Sequence, residues 1–146
     1  MPDTTRRAVC AIAGAMLFAQ SIRAAEAPVS AEDARALRQV IEAQLAAFRA
    51  DDAEQAFSYA SPSIRDQFGT PEHFMAMVRS GYPVVYRPAT VAFMLPERMG
   101  GEVIQRVRMT DGNGAAWLAI YGMQRQGSRG WRINGCVVTR DAGRTT

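Results

Sequence analysis

Lysine is absent from this chain of 146 residues, and all 17 of its basic side chains are arginines. A nucleotide-composition bias in the genome explains that more simply than selection for anion binding. Histidine occurs once, as His73, and cysteine twice, as Cys10 and Cys136. One histidine and one or two cysteines fall short of the three or four ligands that zinc takes, and no acidic cluster makes up the difference. No Gly-x-Ser-x-Gly elbow, P-loop or dinucleotide fingerprint is present, so no cofactor is implied and the familiar motif-bearing enzyme classes are disfavoured. Long hydrophobic runs are also missing. The longest, residues 8 to 19 (AVCAIAGAMLFA), has about twelve residues, whereas a membrane-spanning helix needs about twenty.

That short run sits behind Arg6-Arg7 and ahead of QSIRAAEA (residues 20 to 27), the charged, apolar and small-residue order of a cleavable secretory signal. Residues 1–27 are therefore expected to be removed, with cleavage after Ala24 or Ala27, and the mature protein to be periplasmic or secreted without a stable membrane anchor. Thr5-Arg6-Arg7 leaves open whether the twin-arginine or the ordinary route is used. Losing Arg6, Arg7, Arg23, Asp3 and Glu26 leaves 14 arginines against 12 acids, too small and too scattered an excess for a nucleic-acid footprint. Cys136 becomes the sole cysteine, so no internal disulfide can hold the fold. In INGCVV it reads as a small buried hydrophobe.

What the chain does have is a hydrophobic content of 48%, with 21% charged residues, enough for one globular domain over residues 28–140 with a short flexible tail at 141–146. Ser30 with Asp33 is a capping pattern, and Leu37, Ile41, Leu45 and Phe48 recur at helical intervals for about twenty residues. Asp51-Asp52 can cap a short second helix. Ser61-Pro62 and Thr70-Pro71 each place a cap before a proline at the first helical position, opening helices that end at Gly69 and Gly81. From Tyr82 the period changes to two. Residues 84–86, 90–95, 103–109, 115–124 and 131–138 read as strands, with hairpin turns at Asp111-Gly112-Asn113-Gly114 and at residues 126–130. The 115–124 segment is apolar on both faces and should be central. The expectation is an α+β domain in which N-terminal helices pack on a curved antiparallel sheet of four to five strands.

Several stretches carry a resemblance. They are Ala47-Phe48 with Asp51-Asp52, the run Ala56-Phe57-Ser58-Tyr59-Ala60-Ser61-Pro62-Ser63-Ile64-Arg65, the run Tyr82-Pro83-Val84-Val85-Tyr86-Arg87-Pro88, and the ending Gly130-Trp131-Arg132-Ile133. On these residues the chain resembles an exported bacterial family known as domain of unknown function 4864, and more broadly the nuclear transport factor 2-like cone folds. The resemblance implies a cone-shaped α+β fold and no particular activity. The chain departs from the commonest cone layout in having a helical pattern, not a hairpin, over residues 61 to 68.

Cone folds can hold a small apolar ligand between helices and sheet, which directs attention to Tyr59, Gln105, Trp117 and Tyr121. Gln105 stands on an otherwise apolar strand face, so it either pairs with a tyrosine hydroxyl in the core or faces a ligand. Arg87 can clamp a carboxylate or pair with Asp51 or Asp52. Trp131 reads as a core anchor. His73 either serves the start of its helix or, oriented by Asp66, acts as a base. Three functions follow: a non-catalytic domain binding a small, partly apolar ligand or a protein partner; an isomerase- or dehydratase-like enzyme using a pocket histidine or carboxylate; and a structural homodimer joined through the wetter strand face of Arg106 and Arg108.

Overall fold

The computed structural model of the protein describes residues 27–143. The secretory signal expected over residues 1–27 lies, but for its last residue, outside the described residues.

Local chemistry sets the helices. Helix α1 (Ala31–Arg49) starts where the Ser30 hydroxyl accepts from the Asp33 backbone N–H at 3.0 Å, with Glu32 and Asp33 in its first turn facing the positive end of the helix dipole. Its buried stripe is Leu37, Ile41, Gln44, Leu45 and Phe48. Asp52 caps α2 (Ala53–Ser58), Ser61 caps α3 (Pro62–Phe68) and Thr70 caps α4 (Pro71–Gly81). In α3 and α4 proline occupies the first turn, where its missing N–H would have been unpaired anyway.

Residues 84–86, expected to be a strand, instead form a single turn of helix, α5 (Pro83–Tyr86). The Tyr82 carbonyl accepts from both Val85 and Tyr86 at 3.0 Å, and Pro83 supplies a helical φ. Val84 and Val85 are both buried, which a strand of alternating faces would not achieve. Three apolar residues in a row fit either period, so their periodicity could not decide between the two.

The sheet holds β1 (Thr90–Phe93), β2 (Glu97–Met99), β3 (Glu102–Thr110), β4 (Ala116–Arg125) and β5 (Trp131–Arg140) in the order β1-β3-β4-β5, all antiparallel. β2 pairs with the same edge of β3 as β1 does, below it. It was not expected, because Glu97-Arg98-Met99 is exposed throughout and shows no apolar alternation. Leu95, expected at the end of a strand, lies in the break between β1 and β2 and is 87% exposed. β4 is central, as expected. The molecule is thus α+β, helices followed by a curved, open antiparallel sheet.

On the inner face Val103, Gln105, Val107 and Met109 of β3 stand opposite Met123, Tyr121, Ala119 and Trp117 of β4. Gln105 is buried directly across from Tyr121 but does not pair with its hydroxyl. Its Nε2 donates to the Met94 carbonyl at 2.6 Å and to the Arg106 carbonyl at 2.9 Å, where β1 has ended and β2 has not begun. The backbone acceptor left by that break takes the amide that the sequence offered to either a tyrosine hydroxyl or a ligand.

β5 fastens the sheet to the helices. The register shift beside Met123 leaves Asn134 as an extra residue, since Met123 faces Ile133 and Gly122 faces Gly135. At that point Ile133 N–H donates to the Tyr59 carbonyl at 2.9 Å and Ser61 N–H to the Ile133 carbonyl at 2.8 Å. The Asn134 side chain accepts from Ser61 Oγ at 2.8 Å and donates to Glu102 at 2.7 Å. After the shift the inward positions are Cys136 and Val138, while Val137 faces out. At the far end Asp141 N–H donates to the Ala116 carbonyl at 3.0 Å and its carboxylate meets Arg108 at 3.3 Å, so the stretch expected to be a flexible tail begins with an anchored residue.

Candidate functional site

Helices α1, α3 and α4 do not close completely onto β4 and β5. They leave a cavity of about 200 Å³. Phe74, Met77 and Val78, spaced to share one face of α4, form one wall; Ile64 and Phe68, one turn apart on α3, form another; Phe48 and Gln44 enter from α1. Phe74 is the hub of the aromatic wall, with ring centroids 6.0 Å from Phe48, 5.7 Å from Phe68 and 5.4 Å from Phe57. The two Pro-led caps set where α3 and α4 begin, and so which residues of each meet the sheet. The floor is Tyr121, Ile133 and Cys136.

No carboxylate, histidine or arginine is among the residues lining this cavity. Gln44 is buried and spends its side-chain N–H on the Ala56 carbonyl at 3.1 Å. Tyr121 is fully buried; no nitrogen or oxygen pairs with its hydroxyl, and what it meets is the Cys136 sulfur, a weak acceptor. Burial pushes its pKa well above the ordinary tyrosine value, and the Cys136 sulfur opposite adds to the shift. Burial likewise pushes the Cys136 thiol up to about 12, with a smaller opposing effect from the Tyr121 hydroxyl. Both groups therefore stay protonated near neutrality. The floor offers a neutral O–H donor and a thiol that is too weakly acidic to serve as a nucleophile.

Trp117 and Arg87 lie elsewhere, along a broader groove of about 680 Å³ shared with Tyr82, Pro83, Asp111 and Val138. Their polar atoms are already engaged. Trp117 Nε1 donates to Asp111 Oδ2 at 2.9 Å, and the Arg140 guanidinium lies 4.8 Å from the centre of the Trp117 ring system. Arg87 donates to the Phe48 carbonyl at 3.0 Å and to Asp51 Oδ2 at 3.1 Å, the intramolecular pair that the sequence offered as the alternative to a ligand clamp. Asp51, in a left-handed conformation at φ 52°, also accepts from the Tyr86 hydroxyl and lies 3.5 Å from Arg79. The Tyr86 hydroxyl first, then Arg87 and Arg79, hold its carboxyl below the usual range. Asp111 is lowered chiefly by the Trp117 indole and then by the Ala115 and Asn113 N–H groups of the hairpin turn.

Tyr59 takes a hydrogen bond from Gln55 Nε2 at 2.7 Å and is not among the residues lining either space. Of the five side chains singled out from sequence, Tyr121 alone lines the cavity, Trp117 and Arg87 share the groove, and Gln105 and Tyr59 are committed to structural bonds. His73 is exposed on the outside of α4, with Nδ1 3.0 Å from the Phe68 carbonyl, and it does not line the cavity. The base proposed for an enzymatic reading is thus on the outer surface. Arg106 and Arg108, offered as an interface, pair internally with Glu97 at 3.1 Å and Asp141 at 3.3 Å. The spacing of Phe74, Met77 and Val78 puts them on one helix face, but nothing in that spacing tells that the face walls a cavity. Among the described residues, no group of three or more His, Cys, Asp or Glu could hold a metal ion, and no helix is long and apolar enough to cross a membrane.

A family model described as a domain of unknown function, DUF4864, matches residues 30–146. The chain belongs to the DUF4864 family. The match opens at Ser30, the cap of α1, so the cavity and the groove both lie inside the DUF4864 unit. No curated protein and no solved structure matches the chain.

Proposed function

We propose that this DUF4864 domain is a non-catalytic receptor, in an exported protein, for a small and mostly apolar molecule held in the cavity between α1, α3, α4 and the β4–β5 floor. The observation that carries this reading is the cavity itself, about 200 Å³ walled mostly by Phe48, Ile64, Phe68, Phe74, Met77 and Val78 with no charged side chain in its lining. The lining supports binding over proton-transfer chemistry, since it holds no carboxylate, histidine or arginine. The resemblance to cone folds and the order of the N-terminal residues favour a ligand met outside the cytoplasm.

Native mass spectrometry of the chain isolated from its own cell envelope tests this. The expected spectrum shows a chain beginning near Ala25 or Pro28 that carries an additional small mass, and the Val78→Phe variant, which fills the cavity, loses that mass while remaining folded. A bare wild-type chain would overturn the ligand reading, and a chain still beginning at Met1 would overturn export.

A further inference from the structure

The two edges of the sheet are not alike. On one, β1 has four residues, the strand breaks over residues 94–96, which include Pro96, and β2 adds only three residues more. A short strand, a break and a proline all discourage another strand from adding there. The other edge is β5, which after the shift at Asn134 runs unbroken over residues 135–140, with no proline and no charge before Arg140.

The backbone of that stretch can be oriented. Asp141 N–H donates to the Ala116 carbonyl, and bonded and non-bonded pairs alternate along an antiparallel ladder. Residues 135, 137 and 139 therefore bond to β4, while Cys136, Val138 and Arg140 turn their backbone N–H and C=O groups away from it. Among the described residues no backbone group pairs with those three on that side. The chain uses the same side of β5 one step earlier. There Ile133 bonds to Tyr59 and Ser61 in a parallel bridge at Ala60, before the chain turns away into α3. The rest of the edge continues that line unpaired.

The groove of about 680 Å³ follows this edge. Val137 and Val138 both line it although their side chains leave opposite faces of the sheet, which requires the groove to run along the side of the strand. Its other walls include Tyr82 and Pro83 at the start of α5 and Trp117 of β4. The charged side chains of the groove, Arg87 and Asp111, are spent on Asp51 and Trp117. What is left for a partner is backbone on one side and apolar surface on the other.

We propose that β5 accepts a further strand: an extended, uncharged peptide segment of another protein lies in the groove, bonds its backbone to Val138 and Arg140, and turns an apolar side chain towards Tyr82 and Pro83 at every second residue. This pairing does not depend on what the cavity holds.

Protein-observed NMR titration with two probes tests it. One is acetyl-Thr-Val-Thr-Val-Thr-amide, and the other is the same peptide N-methylated at all five residues, which keeps the side chains and removes the backbone donors. The first is expected to shift the Val138 and Arg140 amides and, at saturation, to slow their hydrogen exchange about tenfold. The N-methylated peptide should bind about tenfold more weakly, the worth of two hydrogen bonds. Val138→Pro removes an N–H that β4 does not use, so the chain should keep its fold and lose the peptide. Should that variant fail to fold, the N-methylated peptide decides alone. Equal binding of the two peptides would overturn pairing through the backbone. Shifts confined to the β1 edge or to the cavity, or no binding at millimolar peptide, would overturn the site. Val138 and Arg140 amides whose shifts change with protein concentration would mean that a second copy covers the edge, and would overturn the choice of another protein's segment.

Discussion

The cavity and the groove divide the same inner surface in opposite ways. Along the groove the polar side chains are spent on one another: Arg87 on Asp51 and the Phe48 carbonyl, Trp117 on Asp111. In the cavity the lining is mostly apolar, with Gln44, Gln67 and Tyr82 among its polar members, and the Tyr121 hydroxyl meets only the weakly accepting Cys136 sulfur. Residue type alone would rank the groove first, since arginine and tryptophan are the side chains most often found at binding hot spots. Bookkeeping of hydrogen bonds reverses the ranking. A polar group that already has its partners is holding the fold, whereas a buried one that meets only a weak acceptor lowers stability and calls for another explanation.

The largest effect should come from the cavity wall. Phe74 touches three other aromatic rings, and Phe74→Ala is expected to cost about 3–5 kcal/mol in a denaturant titration while abolishing ligand binding. If the loss is below about 1 kcal/mol, α4 does not pack on the sheet as described.

Next is an alkaline effect confined to the cavity floor. An unfolded thiol titrates near 9, whereas the folded Cys136 holds its proton to about 12. Between those values the unfolded state releases a proton that the native state keeps. Stability is therefore intact below pH 9 and falls as pH rises towards 12, by up to about 1.4 kcal/mol per pH unit from this group. Cys136→Ala should flatten the difference in urea midpoint between pH 8 and pH 10, and an unchanged pH slope would place the thiol in water.

Smaller and opposite in sign to the first, Tyr121→Phe should leave stability unchanged or raise it by about 1 kcal/mol, because it removes a buried hydroxyl whose one neighbour is the weakly accepting Cys136 sulfur. A clear destabilisation would mean that the hydroxyl has a stronger partner than the Cys136 sulfur. The groove gives the smallest effects. The carboxyls of Asp51 and Asp111 are held below 3.8, so their contribution is present above that pH and is lost as the pH falls through their lower native values. Asp51→Asn and Asp111→Asn should each be less sensitive to acid than the wild type when thermal midpoints at pH 3 and pH 6 are compared. Arg87→Lys should leave ligand binding in the cavity unchanged.

Much of the fold was legible in the chain. Ser30, Asp52, Ser61 and Thr70 announced four helices because a capping side chain bonds within its own first turn, which makes it a local signal. The hairpin at Asp111 was legible for the same reason, with its carboxylate taking the Asn113 and Ala115 N–H groups. What escaped depends on distant contacts. α5 is helical because Val84 and Val85 both reach the core, and β2 exists because β3 offers an edge to pair with, and neither cause leaves a periodic trace. The site was half legible. Tyr121 was singled out as an aromatic on the strand expected to be central, but what its hydroxyl meets depends on Gln105 turning to Met94, eleven residues back along the chain.

The most direct test of the central claim is a high-resolution crystal structure of the mature chain purified from its own cell envelope. The account predicts non-protein density in the cavity, packed against Phe48, Ile64 and Phe74. A cavity filled by its own side chains would contradict it.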